Sequence, residues 1–246
     1  DIQEVKFDNV IYWRKKEQKL KKIKRNISKH GILYILWLLI RCINKMFLKK
    51  IHTSIDKILL FPKIESNLFS TCSELKINLY EINDIHSDEG IQLIKSLNCD
   101  LLVVCGTGIL KESVFELPKL GSINLHQGEV PKYRGAPPGF WELWNKEKQV
   151  GVTVHFVDKG VDTGDIILQE IVPIFEYDNF RTTMRKLSEI SLSLYPDAIR
   201  IIASGKYRRI KQPQGTGNQY YFPTLKQRAI LFASILCRQL NVISVF

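Results

Sequence analysis

At 246 residues, with 45% hydrophobic and 25% charged side chains, the chain can bury its own core, which excludes an intrinsically disordered segment and a small disulfide-stapled scaffold. The formal net charge of +11 is concentrated near the start: residues 1–57 carry 15 Lys or Arg against 5 Asp or Glu, and the remainder is nearly neutral. Basicity therefore belongs to one segment and not to the fold as a whole.

Val5–Trp13 is predicted as a short strand and residues 14–50 as helical, broken near His30-Gly31. Within them, Arg14–Lys29 is either a solvated lysine-rich face or a patch for nucleic acid, anionic lipid or a phosphorylated substrate, the solvated face being the simpler reading. The apolar run 32–40 stops at Arg41, short of the roughly 20 residues that a membrane span needs. It is expected to pack as part of an amphipathic helix, so no transmembrane segment is expected. Residues 51–69 read as connector, with room for one short strand. Lys76–Ile82 alternates like a strand, and Asp88–Leu97 reads as a helix with Ser87 as its N-cap.

Asp100–Cys105 (DLLVVC) is a short continuous apolar run, the pattern of a strand buried on both faces. It ends in the turn Gly106-Thr107-Gly108-Ile109-Leu110. Lys111–Glu116 reads as a helix, Gly121–His126 as a second buried strand, Pro131–Pro138 as a loop and Gly139–Asn145 as a helix. Val150–Val157 and Asp165–Pro173 are strands whose short, Gly-bounded separation predicts an antiparallel pair. Phe180–Ser204 is a long amphipathic helix with Asp178 or Asn179 at its cap and Gly205 at its C-terminal end. The tail, residues 206–246, holds QPQGTGNQYYFPTLKQR and a second apolar helix, an appendage to a domain spanning 1–205. Alternating strands and helices predict an α/β fold with a mostly parallel sheet flanked by helices. Such sheets bind ligands outside the carboxyl ends of their strands. The five cysteines (Cys42, Cys72, Cys99, Cys105, Cys237) are scattered and odd in number. They imply a reducing, cytoplasmic compartment and no metal site, with Cys99 and Cys105 expected as buried thiols.

Three polar residues stand out. Asn124 and His126 are two apart at the end of an apolar run, so in a strand both side chains leave one face. Asp162 follows in the loop between the two later strands. An amide, an imidazole and a carboxylate suit acyl transfer to an amine, which passes through a tetrahedral intermediate with a developing oxyanion. Asn124 can donate to that oxyanion. His126 can donate to the same oxygen or shuttle a proton. Asp162 can raise the His126 pKa and fix its tautomer, or take the amine's proton through a water. No Ser or Cys nucleophile elbow is present.

At these residues the chain resembles the 10-formyltetrahydrofolate-dependent formyltransferases, whose members act on methionyl-tRNA, glycinamide ribonucleotide or amino sugars. The family's Asn-x-His, followed by Asp in a Gly-x-Asp-x-Gly loop, matches Asn124, His126 and Gly160–Gly164. The resemblance covers about residues 76–205. It implies a Rossmann-like sheet of the formyltransferase type and 10-formyltetrahydrofolate as donor. It also implies that backbone at Gly106, Thr107, Gly108, Ile109 and Leu110, and at His155, Val157, Asp158, Gly160 and Val161, contacts the folate. The chain opens without Met, and the family's first strand and turn have no counterpart before Asp1, so one strand is expected to be missing. Where the family often reads His-x-Ser-Leu-Leu-Pro, this chain has His126-Gln127-Gly128-Glu129-Val130-Pro131, a departure on the acceptor side; Lys132-Tyr133-Arg134-Gly135 keeps the family's style.

The expected acceptor is a small amine, a nucleotide-linked amino sugar, because the aromatic and amide-rich tail suits stacking on a sugar or base. A tRNA acceptor is less favoured, since the tail is too short for the β-barrel that methionyl-tRNA enzymes carry. Alternatives are a methionyl-tRNA-directed enzyme, a hydrolase releasing formate, or a non-catalytic folate-binding module. A homodimer is compatible with any of these.

Overall fold

The computed structural model describes residues 9–13, 68–213 and 215–243; the helical reading of 14–50 falls outside them. The described residues fall into two compact units, residues 9–13 and 68–90 in one and residues 91–213 and 215–243 in the other. In the first, β1 (Asn9–Trp13) pairs in parallel with β2 (Asn78–Ile82). Between them α1 (Leu68–Glu74) begins inside the expected connector; it is short, lacks charge complementarity at its ends, and left no periodic signal. Ser87 caps α2 (Asp88–Leu97) as expected, its Oγ accepting the Gly90 N–H at 3.2 Å.

The second unit continues through β3 (Leu102–Val104), α3 (Glu112–Phe115), β4 (Ser122–His126), β5 (Tyr133–Gly135), α4 (Phe140–Trp144), β6 (Gln149–Phe156), β7 (Ile166–Pro173), α5 (Phe180–Ala203), β8 (Asn218–Tyr220) and α6 (Leu225–Ile243). Its main sheet has the order β3-β4-β6-β7. β3 runs parallel to β4, whereas β6 joins β4 and β7 joins β6 antiparallel. With β1–β2 and β5–β8 also parallel, the described fold is a mixed α/β architecture; its main sheet is less parallel than expected, because β6 runs antiparallel both to β4 and to β7, its partner in the predicted hairpin.

Strand alternation assigns the two faces of this sheet their jobs. Ile123, Val150, Val152, Val154 and Phe156 pack with Leu187, Ile190, Leu194 and Ala198 of α5. Val152, Val154 and Leu187 are fully buried, and each such side chain contributes on the order of 2 kcal/mol. The opposite parity (Asn124, His126, Thr153, His155) faces the other way, with Asn124 paired to His155 and His126 to Thr153 across β4 and β6. Residues Val150–Phe156 are all buried because both faces of β6 are covered, one by α5 and the other by loops that return over the sheet. α5 is held at its start by a capping box: Asn179 Oδ1 accepts from the N–H groups of Arg181 and Thr182, and Thr182 Oγ1 accepts from Asn179 N–H.

Three expectations change. Within β3 only Val104 is buried; Leu102 and Val103 are half-buried, since β3 stands at one end of the four-strand order. Cys105 is exposed and Cys99 only half-buried, because the strand ends at Val104 and Cys105 already belongs to the turn. The expected loop 131–138 contains β5, whose partner β8 lies far along the chain in the tail. Among the described residues no helix is long and apolar enough to cross a membrane.

Candidate active site

β4 projects Asn124 and His126 from one face, and the loop after β6 folds back over that face to deliver Asp162. Asp162 Oδ2 lies 3.3 Å from His126 Nδ1. Asn124 Nδ2 donates to Asp162 Oδ1 at 3.5 Å. The three residues singled out by spacing therefore meet at one carboxylate. A fourth joins them: His155 Nε2 is 3.4 Å from Asp162 Oδ1 and 3.5 Å from Asn124 Nδ2. The resemblance gave His155 only a backbone contact to folate; its side chain is at the cluster because strand register sets it opposite Asn124.

Main-chain groups hold the cluster in place. Gly135 N–H donates to Asp162 Oδ2 at 2.8 Å. Asp162 itself adopts the left-handed region, φ 54°, which Asp tolerates better than most residues. Gln212 from the tail donates through Nε2 to the main-chain oxygens of Asp162, at 3.1 Å, and of Gly164, at 2.7 Å. No local pattern marks Gln212, which is joined to the site only by tertiary folding. The departure at Gly128 has a steric reason. A Cβ there would stand 2.7 Å from the Tyr133 carbonyl oxygen and run into the His126 ring, breaking the contact between the two.

That contact sets the protonation pattern. A carbonyl can only accept, so His126 Nε2 carries a hydrogen donated to Tyr133 O at 2.9 Å, and His155 Nδ1 likewise donates to Phe156 O at 2.7 Å. Each ring has one nitrogen committed and turns the other toward Asp162. Burial lowers the His126 pKa, outweighing the upward pull of Asp162. Burial pushes Asp162 up, but the two imidazoles beside it, His155 foremost, and the Gly135 N–H more than reverse this and hold it below the ordinary value. The resting pair is an ionised carboxylate facing a bare imidazole nitrogen, two proton acceptors 3.3 Å apart. A proton delivered between them satisfies both.

The predicted donor segments flank this cluster. The 106–110 turn follows β3, with Gly106 at φ 60° and open space where a Cβ would stand. Ile109 is 75% exposed and Leu110 is buried; Thr107 Oγ1 turns onto the Gly108 carbonyl. In the second segment Val157 continues off β6. Asp158 accepts from Gly160 N–H at 3.1 Å and from Thr163 at 2.6 Å, bracing the loop that carries Val161 and Asp162. Lys159 pairs with Glu112 of α3 at 2.8 Å, tying the two segments together. On the other side, Tyr220 of β8 is stacked between Tyr133 and Trp141, with centroids 5.1 Å apart on each side. These rings border a pocket that His126, Arg134 and Glu142 also line.

Hydrogen-bond donors grouped around a proton acceptor suit acyl transfer. The chain belongs to the formyl transferase family, whose model matches residues 60–199. It is 36% identical over 169 residues to the methionyl-tRNA formyltransferase of Methylacidiphilum infernorum (isolate V4), covering 68% of this chain and 52% of that protein. The chain spans about half the length of the curated relatives it matches. Among solved structures it is similar to the formyltransferase PseJ from Anoxybacillus kamchatkensis in complex with UDP-4,6-dideoxy-4-formamido-L-AltNAc and tetrahydrofolate, with TM-score 0.53, 29% identity and coverage of 68% of this chain and 84% of that one. A sugar N-formyltransferase from Shewanella sp FDAARGOS_354 gives TM-score 0.53 at 25% identity, covering 69% of this chain and 71% of that one.

Proposed function

We propose that this protein transfers a formyl group from 10-formyltetrahydrofolate to a primary amine, and that the amine belongs to a nucleotide-linked amino sugar. The observation that carries the transfer reading is the convergence of Asn124, His126 and His155 on the Asp162 carboxylate within 3.5 Å. The folate supplies the formyl group already activated on nitrogen. The open space at Gly106, the exposed Ile109 and the neighbouring segment through Val161 suit a flat ring lying against backbone,. Asn124 Nδ2 is shared at 3.5 Å between Asp162 Oδ1 and His155 Nε2 in the free protein, contacts long enough for one N–H to turn to the oxygen that becomes an oxyanion; losing such a donor costs about 3–4 kcal/mol of barrier. The Asp162–His126 pair takes the proton that nitrogen sheds as the new bond forms.

Two observations favour the amino sugar. The Tyr133–Tyr220–Trp141 stack forms an aromatic wall beside His126, and the similar Anoxybacillus enzyme is described with a UDP-linked formamido sugar. Methionyl-tRNA is the second reading, supported by the acceptor named for the curated relatives. The test supplies 10-formyltetrahydrofolate with a UDP-linked 4-amino sugar, with methionyl-tRNA, or with neither, and follows tetrahydrofolate and formyl product. The proposal expects formylated sugar. Formate released at the same rate with and without amine would instead mark a hydrolase, and formylated tRNA alone would favour the second reading.

A further inference from the structure

The cluster around Asp162 does not account for every proton in this reaction. Turning a protonated amine, R–NH3+, into a formamide, R–NH–CHO, removes two protons from nitrogen. One ends on the folate nitrogen that gives up the formyl group, and the other must leave the site. The amine also has to lose its first proton before it can attack, because an ammonium nitrogen has no lone pair. The space between Asp162 Oδ2 and His126 Nδ1 holds one proton. A second acceptor is needed at the point where the amine enters.

Glu142, in the pocket that His126 also lines, is the carboxylate that could serve. It is the central residue of α4, flanked by Trp141 and Leu143, and is only 2% exposed. It nevertheless lines the same small pocket as His126, Arg134, Trp141 and Tyr220. The groups that ease its charge are the backbone N–H groups of its own residue and Gly139, while Glu147 and Glu129 add negative charge. Among the described residues no lysine, arginine or histidine forms an ion pair with it. The nearby cations are otherwise engaged. Lys132 pairs with Glu147 at 2.9 Å, and Arg134 turns Nη2 to the Thr216 carbonyl at 3.4 Å, leaving its buried Nε without a partner. A carboxylate enclosed in this way without a cation is costly in the free protein, and the cost falls when a cation arrives.

We propose that Glu142 receives the acceptor's ammonium group and removes its first proton. This rests on reading the protein as an amine formyltransferase. One N–H bond of R–NH3+ breaks and an O–H bond to the Glu142 carboxylate forms. The electron pair stays on nitrogen, so the site then holds R–NH2 and a neutral Glu142. The amine attacks the formyl carbon and its second proton passes to the Asp162–His126 pair; as the formyl carbon's bond to the folate nitrogen breaks, the pair hands that proton to the departing nitrogen, and Glu142 returns its own proton to water as product leaves. Burial, with Glu147 and Glu129, pushes the Glu142 carboxyl up to about 7, where it can both take and release a proton near neutral pH.

The test compares wild type, Glu142→Gln and Glu142→Asp with 10-formyltetrahydrofolate and the 4-amino precursor of the UDP-linked formamido sugar in the Anoxybacillus complex. Rates are taken across pH, and thermal unfolding is recorded for each variant. Glu142→Gln should raise the acceptor KM by at least about tenfold and move the acid limb of kcat/KM from near 7 to the free amine's own pKa. Glu142→Asp should recover part of both effects, and the Gln variant should melt no lower than wild type. A folded Gln variant with wild-type acceptor KM and an unmoved acid limb overturns the proposal. If wild type formylates only methionyl-tRNA, the amino-sugar reading fails and the same variants are judged on that substrate. If wild type formylates neither amine, both readings fall together.

Discussion

Gly164→Ala tests whether the Asp162 loop must lie flat on β6. A Cβ at 164 would stand 2.7 Å from the Phe156 carbonyl carbon and closer still to its oxygen. Real Cβ contacts essentially never fall under 3.0 Å, and both atoms in conflict are backbone, so no side chain can rotate out of the way. The loop would have to withdraw by on the order of 1 Å, stretching the Phe156 N–H to Asp165 O bond of 2.9 Å and the Gln212 bond to Gly164 O of 2.7 Å. Asp162 is two residues away and already spans 3.3–3.5 Å to the His126, Asn124 and His155 side chains, so it would lose those contacts. Misplacing a catalytic group by about 1 Å can cost on the order of 100-fold in rate. The assay is kcat for tetrahydrofolate release, with far-UV circular dichroism and a thermal melt to establish that the variant is folded. A folded Gly164→Ala protein within threefold of wild type would show that the loop need not lie against β6.

Glu142→Gln should change the pH dependence of stability. Because its folded value is raised from the ordinary 4.5 to about 7, this group's stabilising contribution is present below pH 4.5 and is lost as pH rises through 7. At about 1.4 kcal/mol per tenfold change, the loss is about 3 kcal/mol. Urea unfolding should therefore show the Gln variant gaining on wild type between pH 5 and 8, and a difference that does not vary with pH would contradict the assignment. Asn179→Ala removes the side-chain acceptor for two helix N–H groups and should destabilise the protein by about 1 kcal/mol in the same assay. Tyr220→Ala removes the middle ring of the stack and should raise the acceptor KM more than the donor KM.

How much of this was legible depended on whether the causes were local. α5 was readable to within a residue because its cap, its periodicity and Gly205 sit next to one another in sequence. The β6–β7 pair followed from two apolar runs and a short glycine-bounded loop, and the shared face of Asn124 and His126 followed from a period of two. What stayed hidden is long-range. β5 looks like loop because its partner is in the tail, and Gln212 reaches Asp162 only after folding. The thiol of Cys105 followed an apolar run but lies one residue beyond the strand. His155 was seen as a donor-side residue, and only the register with Asn124 reveals its ring at the carboxylate. Glu142 did carry a local signal, an acid inside the aromatic helix FWELW, that composition and spacing did not interpret.

The most direct measurement is single-turnover formyl transfer by Asp162→Asn, with folate affinity determined separately. The carboxamide keeps the size of the side chain but cannot hold a proton between itself and His126. Chemistry should slow by about 100-fold to 10,000-fold while folate affinity stays within a few-fold of wild type. Wild-type chemistry in a folded Asp162→Asn protein would contradict the claim that this carboxylate is the centre of the site.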